Sequence, residues 1–85
     1  MVLNKDWKKI EDNGIQKLEI TINYQNFIEA VEAINKIKDI AEDLNHHPDL
    51  KIYSYNKLKI QVYTHDEKDI TDKDYELASK IEKIL

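Results

Sequence analysis

The spacing of apolar residues constrains this chain more than any single motif, because its period switches between two and about 3.6 and does so twice. Leu18, Ile20, Ile22 and Tyr24 alternate with Lys17, Glu19, Thr21 and Asn23, the pattern of a half-buried strand. Asn26 then stands where a helix N-cap is expected, with Glu29 three residues on as a variant of the capping box. Phe27, Ala30, Val31, Ile34, Ile37, Ala41 and Leu44 follow at three- and four-residue steps, one apolar stripe on a helix of about five turns. Pro48 closes that helix, since the residue before a proline is steered away from helical geometry. Leu50 to Tyr55 reads as a strand, Asn56-Lys57 as a tight turn and Leu58 to Thr64 as the returning strand. Thr71 caps a last helix, with Asp74 three residues later and Leu77, Ala78, Ile81, Ile84 and Leu85 as its apolar positions. Upstream, Trp7 to Glu11 forms a short first strand ahead of an Asp12-Asn13-Gly14 turn. The order ββαββα predicts an α+β fold: a four-stranded antiparallel sheet with two helices packed on one face.

Composition narrows the function. The 85 residues carry no repeat, linker or low-complexity tract and are expected to form a single domain, 1–85. A chain of this size buries only about 60% of its unfolded surface, so oligomerisation is an expected source of support. No apolar run is long enough to span a bilayer, and Met1 to Asp6 lacks the apolar core of a signal peptide, so the expectation is a cytoplasmic protein with no membrane partner. With no cysteine there is no disulfide framework, thiolate nucleophile or Cys-ligated metal. All 13 basic residues are lysine, scattered among 17 acids for a net charge of −4. Without arginine there is no bidentate clamp for guanine or phosphate, which argues against direct nucleic-acid contact.

The chemistry-bearing candidates are the three histidines, His46, His47 and His65. His46 lies four residues after Glu42, so the two share a helix face, and the carboxylate there would hydrogen-bond one ring nitrogen and fix its tautomer. His47 precedes Pro48, so its backbone should be extended and its ring should point away from His46. Taken alone, His46-His47-Pro48 reads as a pair of helix C-caps, His65 as an exposed strand-end residue on the parity of Tyr63, and Asp74 as a capping acid. Tyr53, Tyr55 and Tyr63 are strand residues first and a stacking platform second.

Taken together, an acid, three residues, His-His-Pro, a short gap, an aromatic, nine residues, a histidine and a later aspartate stand here as Glu42, His46-His47-Pro48, Tyr55, His65 and Asp74. This string, with Tyr55-Asn56-Lys57, Thr64-His65-Asp66 and Leu77-Ala78-Ser79, resembles the pterin-4a-carbinolamine dehydratase family, whose bifunctional animal members are also dimerisation cofactors of a homeodomain transcription factor. Trp7, Phe27 and Ala30 are similar upstream. The resemblance implies a hydro-lyase that dehydrates 4a-hydroxytetrahydrobiopterin to quinonoid dihydropterin and so recycles tetrahydrobiopterin. It implies His46, His47 and His65 as catalytic residues, with His46 and His65 transferring protons and His47 orienting the pterin. Glu42, Pro48, Tyr55, Thr64 and Asp74 would bind substrate or support the site, Glu42 by setting the state of His46 and Asp74 by holding the helix start and the His65 loop. It implies no metal and no cofactor, pterin being the substrate, and a homodimer or homotetramer. Two departures stand out. The N-terminus is short against the family pattern, so a leading helix of longer members is expected to be missing. The Gly-Gly usual after the last histidine is replaced by Glu67-Lys68-Asp69-Ile70, which should reshape that loop.

Two other classes compete. One is a protein-binding regulatory module without catalysis, in which helix surfaces matter and the histidines are dispensable. The other is a metal site built from His46, His47 and His65, disfavoured because adjacent histidines diverge along the backbone.

Overall fold

The computed structural model describes residues 3–85. The strands are β1 (Lys8–Asp12), β2 (Ile15–Asn23), β3 (Asp49–Tyr53) and β4 (Lys57–Val62), and the helices are α1 (Phe27–Leu44) and α2 (Asp72–Glu82). The ββαββα order is as the sequence predicts. The strands form one antiparallel sheet in the order β1-β2-β4-β3, which places β2 and β4 at its centre.

Strand pairing follows from the alternation. Leu18 lies opposite Val62, Ile20 opposite Ile60 and Ile22 opposite Leu58, so one face of the two central strands is apolar. That face carries the core with Ala33 and Ile37 of α1 and Leu77, Ala78 and Ile81 of α2. The β1–β2 connection is a two-residue turn, Asn13-Gly14, with φ of 53° and 80°. Both central residues of such a turn need positive φ, which Asn and Gly adopt at low cost. A side chain at Gly14 would meet nothing, so backbone conformation rather than space selects glycine there.

Several boundaries differ from the sequence expectation. Trp7 precedes β1 instead of opening it; its indole Nε1 donates to Glu82, which also accepts the Asn4 and Lys5 N–H groups, tying the N-terminal segment to α2. The stripe on α1 is rotated. Its buried residues are Ala30, Ala33, Ile37 and Ala41, with Ile34, Ile40 and Leu44 alongside, whereas Phe27, Ile28 and Val31 are exposed. At about 100° per residue, Val31 sits about 120° and Ile28 about 180° round the helix from Ile37. The β3–β4 connection is Ser54 to Asn56, not Asn56-Lys57, because Ser54 and Tyr55 both take left-handed φ (48° and 55°). Among the described residues no helix is long and apolar enough to cross a membrane.

This topology gathers four chain segments at one end of the sheet. The C-terminus of α1 leads directly into β3, whose Asp49 pairs with Gln61 near the end of β4. The chain leaving β4 then passes through Thr64 and His65 to the N-terminus of α2.

Candidate functional site

Helix α1 stops because Asn45 adopts left-handed geometry (φ 50°, ψ 42°), its N–H returning to the carbonyls of Ala41 and Glu42. The His46 N–H also returns to Ala41. The capping is thus done by backbone, and the imidazoles are released for other partners.

His46 Nε2 lies 2.5 Å from Asp74 Oδ1, joining the end of α1 to the first turn of α2. The His46 side chain is 13% exposed and that of Asp74 is 0% exposed. The second oxygen of Asp74 accepts from the Thr71 N–H (2.8 Å) and from Thr64 Oγ1 (2.8 Å), while the Thr64 and Thr71 hydroxyls lie 2.6 Å apart. Asp74 is therefore both the capping acid of α2 and the anchor of His46. An acceptor so fully buried is tolerated because each oxygen has donors.

His47 Nε2 lies 2.5 Å from Glu42 Oε2 in an open setting. This corrects the expectation that Glu42 serves His46. The one-face rule for residues four apart holds only inside a helix, and the left-handed Asn45 turns His46 away before the fourth residue is reached. The two rings take different partners, Asp74 for His46 and Glu42 for His47. Among the described residues no group of three or more His, Cys, Asp or Glu is placed to share a metal ion.

His65 is exposed, follows Thr64 directly and packs against Tyr63 with ring centroids 4.4 Å apart. The loop after it turns back at once: Thr64 and Asp69 form an isolated bridge, and Lys68 takes φ 53° without a glycine. The structure thus brings together Glu42, His46, His47, Pro48, Thr64, His65 and Asp74 at one end of the sheet. Tyr55 is the exception. It lies in the β3–β4 turn, 65% exposed, at the opposite end of β4; that strand's length separates it from His65 by on the order of 20 Å. In the sequence Thr71 reads only as a cap, yet it completes the Asp74 network; Lys17, buried beside Tyr63, gives no sequence signal. A surface depression of about 720 Å³ between Asn4–Lys8 and Glu19–Ile22 contains none of the histidines.

Comparison with known proteins bears on this cluster. Residues 1–84 match the pterin 4 alpha carbinolamine dehydratase family. The chain belongs to this family. Among its relatives in the family, a Sulfurisphaera tokodaii protein is 47% identical over 95% of this chain and 82% of its own length. A Sulfolobus acidocaldarius protein is 48% identical over 80% and 74%. Both bear the pterin-4-alpha-carbinolamine dehydratase name only provisionally. The crystal structure of a transcriptional coactivator/pterin dehydratase from Brucella melitensis superimposes with a TM-score of 0.78 at 26% identity, covering 92% of this chain and 80% of that one. A pterin dehydratase-like protein identified as a RuBisCO assembly factor in the alpha-carboxysome shares the fold (TM-score 0.75) at 9% identity, covering 94% and 89%. The dehydratase family fold thus supports more than one role.

Proposed function

We propose that this protein dehydrates a 4a-hydroxytetrahydropterin, with His46 and His65 as the proton-transferring groups. The observation that carries this reading is the His46–Asp74–Thr64 network, which ties one histidine to the residue preceding another across three chain segments. In the reaction the N5–H bond breaks, its electron pair forms the C4a=N5 bond, and the C4a–O bond breaks. One imidazole gives a proton to the departing hydroxyl, which leaves as water, and another accepts the proton from N5. The product is quinonoid dihydropterin, and reduction elsewhere would return it to the tetrahydro form. Proton transfer by positioned side chains typically contributes about 10²–10⁴-fold, with no metal or cofactor needed by the chemistry.

Each neighbour has a task in this scheme. Because Nε2 of His46 faces Asp74, Nδ1 is its free nitrogen for substrate. Asp74 fixes that tautomer and is itself held by Thr64 and Thr71. His47, oriented by Glu42 and exposed, binds the pterin edge. Pro48 sets the direction in which the chain leaves the pair. The test is acceleration of 4a-hydroxytetrahydropterin dehydration over its spontaneous rate, followed by absorbance.

A second reading, a protein-binding module, is favoured by one observation: Phe27 (53% exposed), Ile28 (68%) and Val31 form an apolar patch at the start of α1. In our account a second copy of this chain covers it, giving a homodimer or homotetramer. If the protein acts only as a module, His65→Ala leaves partner binding unchanged and dehydration is absent in the wild type.

A further inference from the structure

Among the described residues three ionisable side chains are buried: Asp74, Glu82 and Lys17. Asp74 anchors His46, and Glu82 ties down the N-terminal segment. Lys17 has no role in the scheme above, and burial of a lysine is unfavourable unless its charge is met. Its side chain is 9% exposed, and its Nζ is met by Asp12 Oδ2 at 3.2 Å and by the ring of Tyr63, whose centroid is 4.8 Å away. Tyr63 in turn touches the His65 ring, with the two planes inclined by 43°.

The placement follows from strand register. Leu18 pairs with Val62, so Lys17 falls opposite Tyr63 on the sheet face turned away from the helices. His65 shares the parity of Tyr63 and emerges on the same side. Asp12 closes the chain of contacts because the tight Asn13-Gly14 turn sets it five residues before Lys17 on the neighbouring strand. A cation over an aromatic face orients the ring as well as attracting it.

We propose that Lys17 and Tyr63 are positioning residues for His65, forming an Asp12–Lys17–Tyr63–His65 stack that fixes the imidazole. His65 needs such support. It is exposed, no hydrogen bond from its ring to the described residues is present, and Asp66 to Asp69, which follow it, are all exposed. His46 is fixed by a buried carboxylate, whereas His65 is fixed by an aromatic ring that a buried cation holds in place. The inference rests on the dehydratase reading for its catalytic consequence, but the stack itself is testable without it.

The experiment compares Tyr63→Leu, Tyr63→Phe and Lys17→Met with the wild type. The first readout is the His65 ring signals in the NMR spectrum of the free protein, with those of His46 as an internal control for the fold. The second is kcat and KM for 4a-hydroxytetrahydropterin. Tyr63→Leu and Lys17→Met are expected to move the His65 signals and leave those of His46 in place. They are expected to lower kcat about tenfold with KM within about twofold, since small misplacements of a reacting group carry large rate penalties. Tyr63→Phe, which keeps the ring, should restore both readouts. Unmoved His65 signals in Tyr63→Leu, or a Tyr63→Phe as impaired as Tyr63→Leu, would overturn the proposal. A wild type without dehydratase activity but with the predicted NMR response would remove the dehydratase reading and leave the stack standing.

Discussion

Replacing Asp74 by Asn separates the two jobs that this carboxylate performs. The amide has the same shape but only one acceptor oxygen. The capping bonds from the Thr71 N–H and Thr64 Oγ1, both 2.8 Å in length, converge on one oxygen of Asp74. The amide carbonyl will take that position and leave its NH₂ facing His46 Nε2. A charge-assisted bond worth about 1.5–3 kcal/mol is then exchanged for a neutral one worth about 0.5–1.5 kcal/mol, a net loss of about 1–1.5 kcal/mol. In a domain of this size each kcal/mol moves the melting temperature by about 4–8 °C, so Asp74→Asn should melt roughly 4–12 °C below the wild type. The larger effect is chemical. With an NH₂ group opposite, neutral His46 must accept at Nε2 and carry its proton on Nδ1, the reverse of its native tautomer. Nδ1 then has no lone pair for a substrate proton, and the rate should fall by about 10²–10⁴. Thermal denaturation, the two-bond ¹H–¹⁵N spectrum of the imidazole and the dehydration assay read these effects separately. A variant that melts with the wild type, keeps the Nε2–H tautomer and dehydrates at the wild-type rate would refute the argument.

Other expectations follow from single residues. The Tyr24 hydroxyl is buried with no hydrogen-bond partner among the described residues, and burial, aided by Glu29, raises its pKa above 10. The neutral phenol is thus favoured in the folded state, so this contribution is intact below about pH 10 and lost as pH rises through the folded value. Tyr24→Phe should therefore leave the neutral-pH melting temperature unchanged or higher and flatten its fall above about pH 10; a loss of stability at neutral pH would contradict this. Lys68 holds φ 53° without being glycine, at a cost of about 1–2 kcal/mol that the greater unfolded-state freedom of glycine partly offsets. Lys68→Gly should raise stability by up to about 1 kcal/mol in urea denaturation, and a fall of that size would show that the side chain itself holds the loop. If Phe27 and Ile28 lie in a self-association interface, light scattering at micromolar concentration should give a dimer or tetramer mass that a Phe27→Lys/Ile28→Lys variant loses; a wild-type monomer would exclude the interface.

What the sequence makes legible here is what depends on neighbours in the chain. The alternation of Leu18, Ile20 and Ile22 locates β2, and the Asn26 cap is present, its side chain accepting from the Glu29 N–H at 2.8 Å. The Thr71–Asp74 capping box is also present. The unread parts depend on contacts across the fold or on unexpected backbone. Asp74 reaches His46 across 28 positions of chain, a pairing no local rule supplies. Glu42 goes to His47 because Asn45 breaks the helix one residue too early for the i,i+4 rule. Ser and Tyr are poor markers of left-handed geometry, so the β3–β4 turn is not legible in the sequence, and Tyr55 lies with it at the far end of β4. Phe27 and Val31 look inward in the sequence because large apolar residues dominate a periodicity, whereas alanines line the buried side of α1. Lys17 and Glu82 carried no signal, since burial of a charge depends on partners distant in sequence.

In the proposed reaction the histidines joined through Asp74 and Thr64 move protons to and from a pterin. The direct measurement is the rate of 4a-hydroxytetrahydropterin dehydration with wild type, His46→Ala and His65→Ala, each checked for fold by its NMR spectrum and compared with the spontaneous rate. Clear acceleration by the wild type is expected, with a loss of about 10²-fold or more in each folded variant. Folded variants as fast as the wild type, or a folded wild type no faster than the spontaneous reaction, would contradict it.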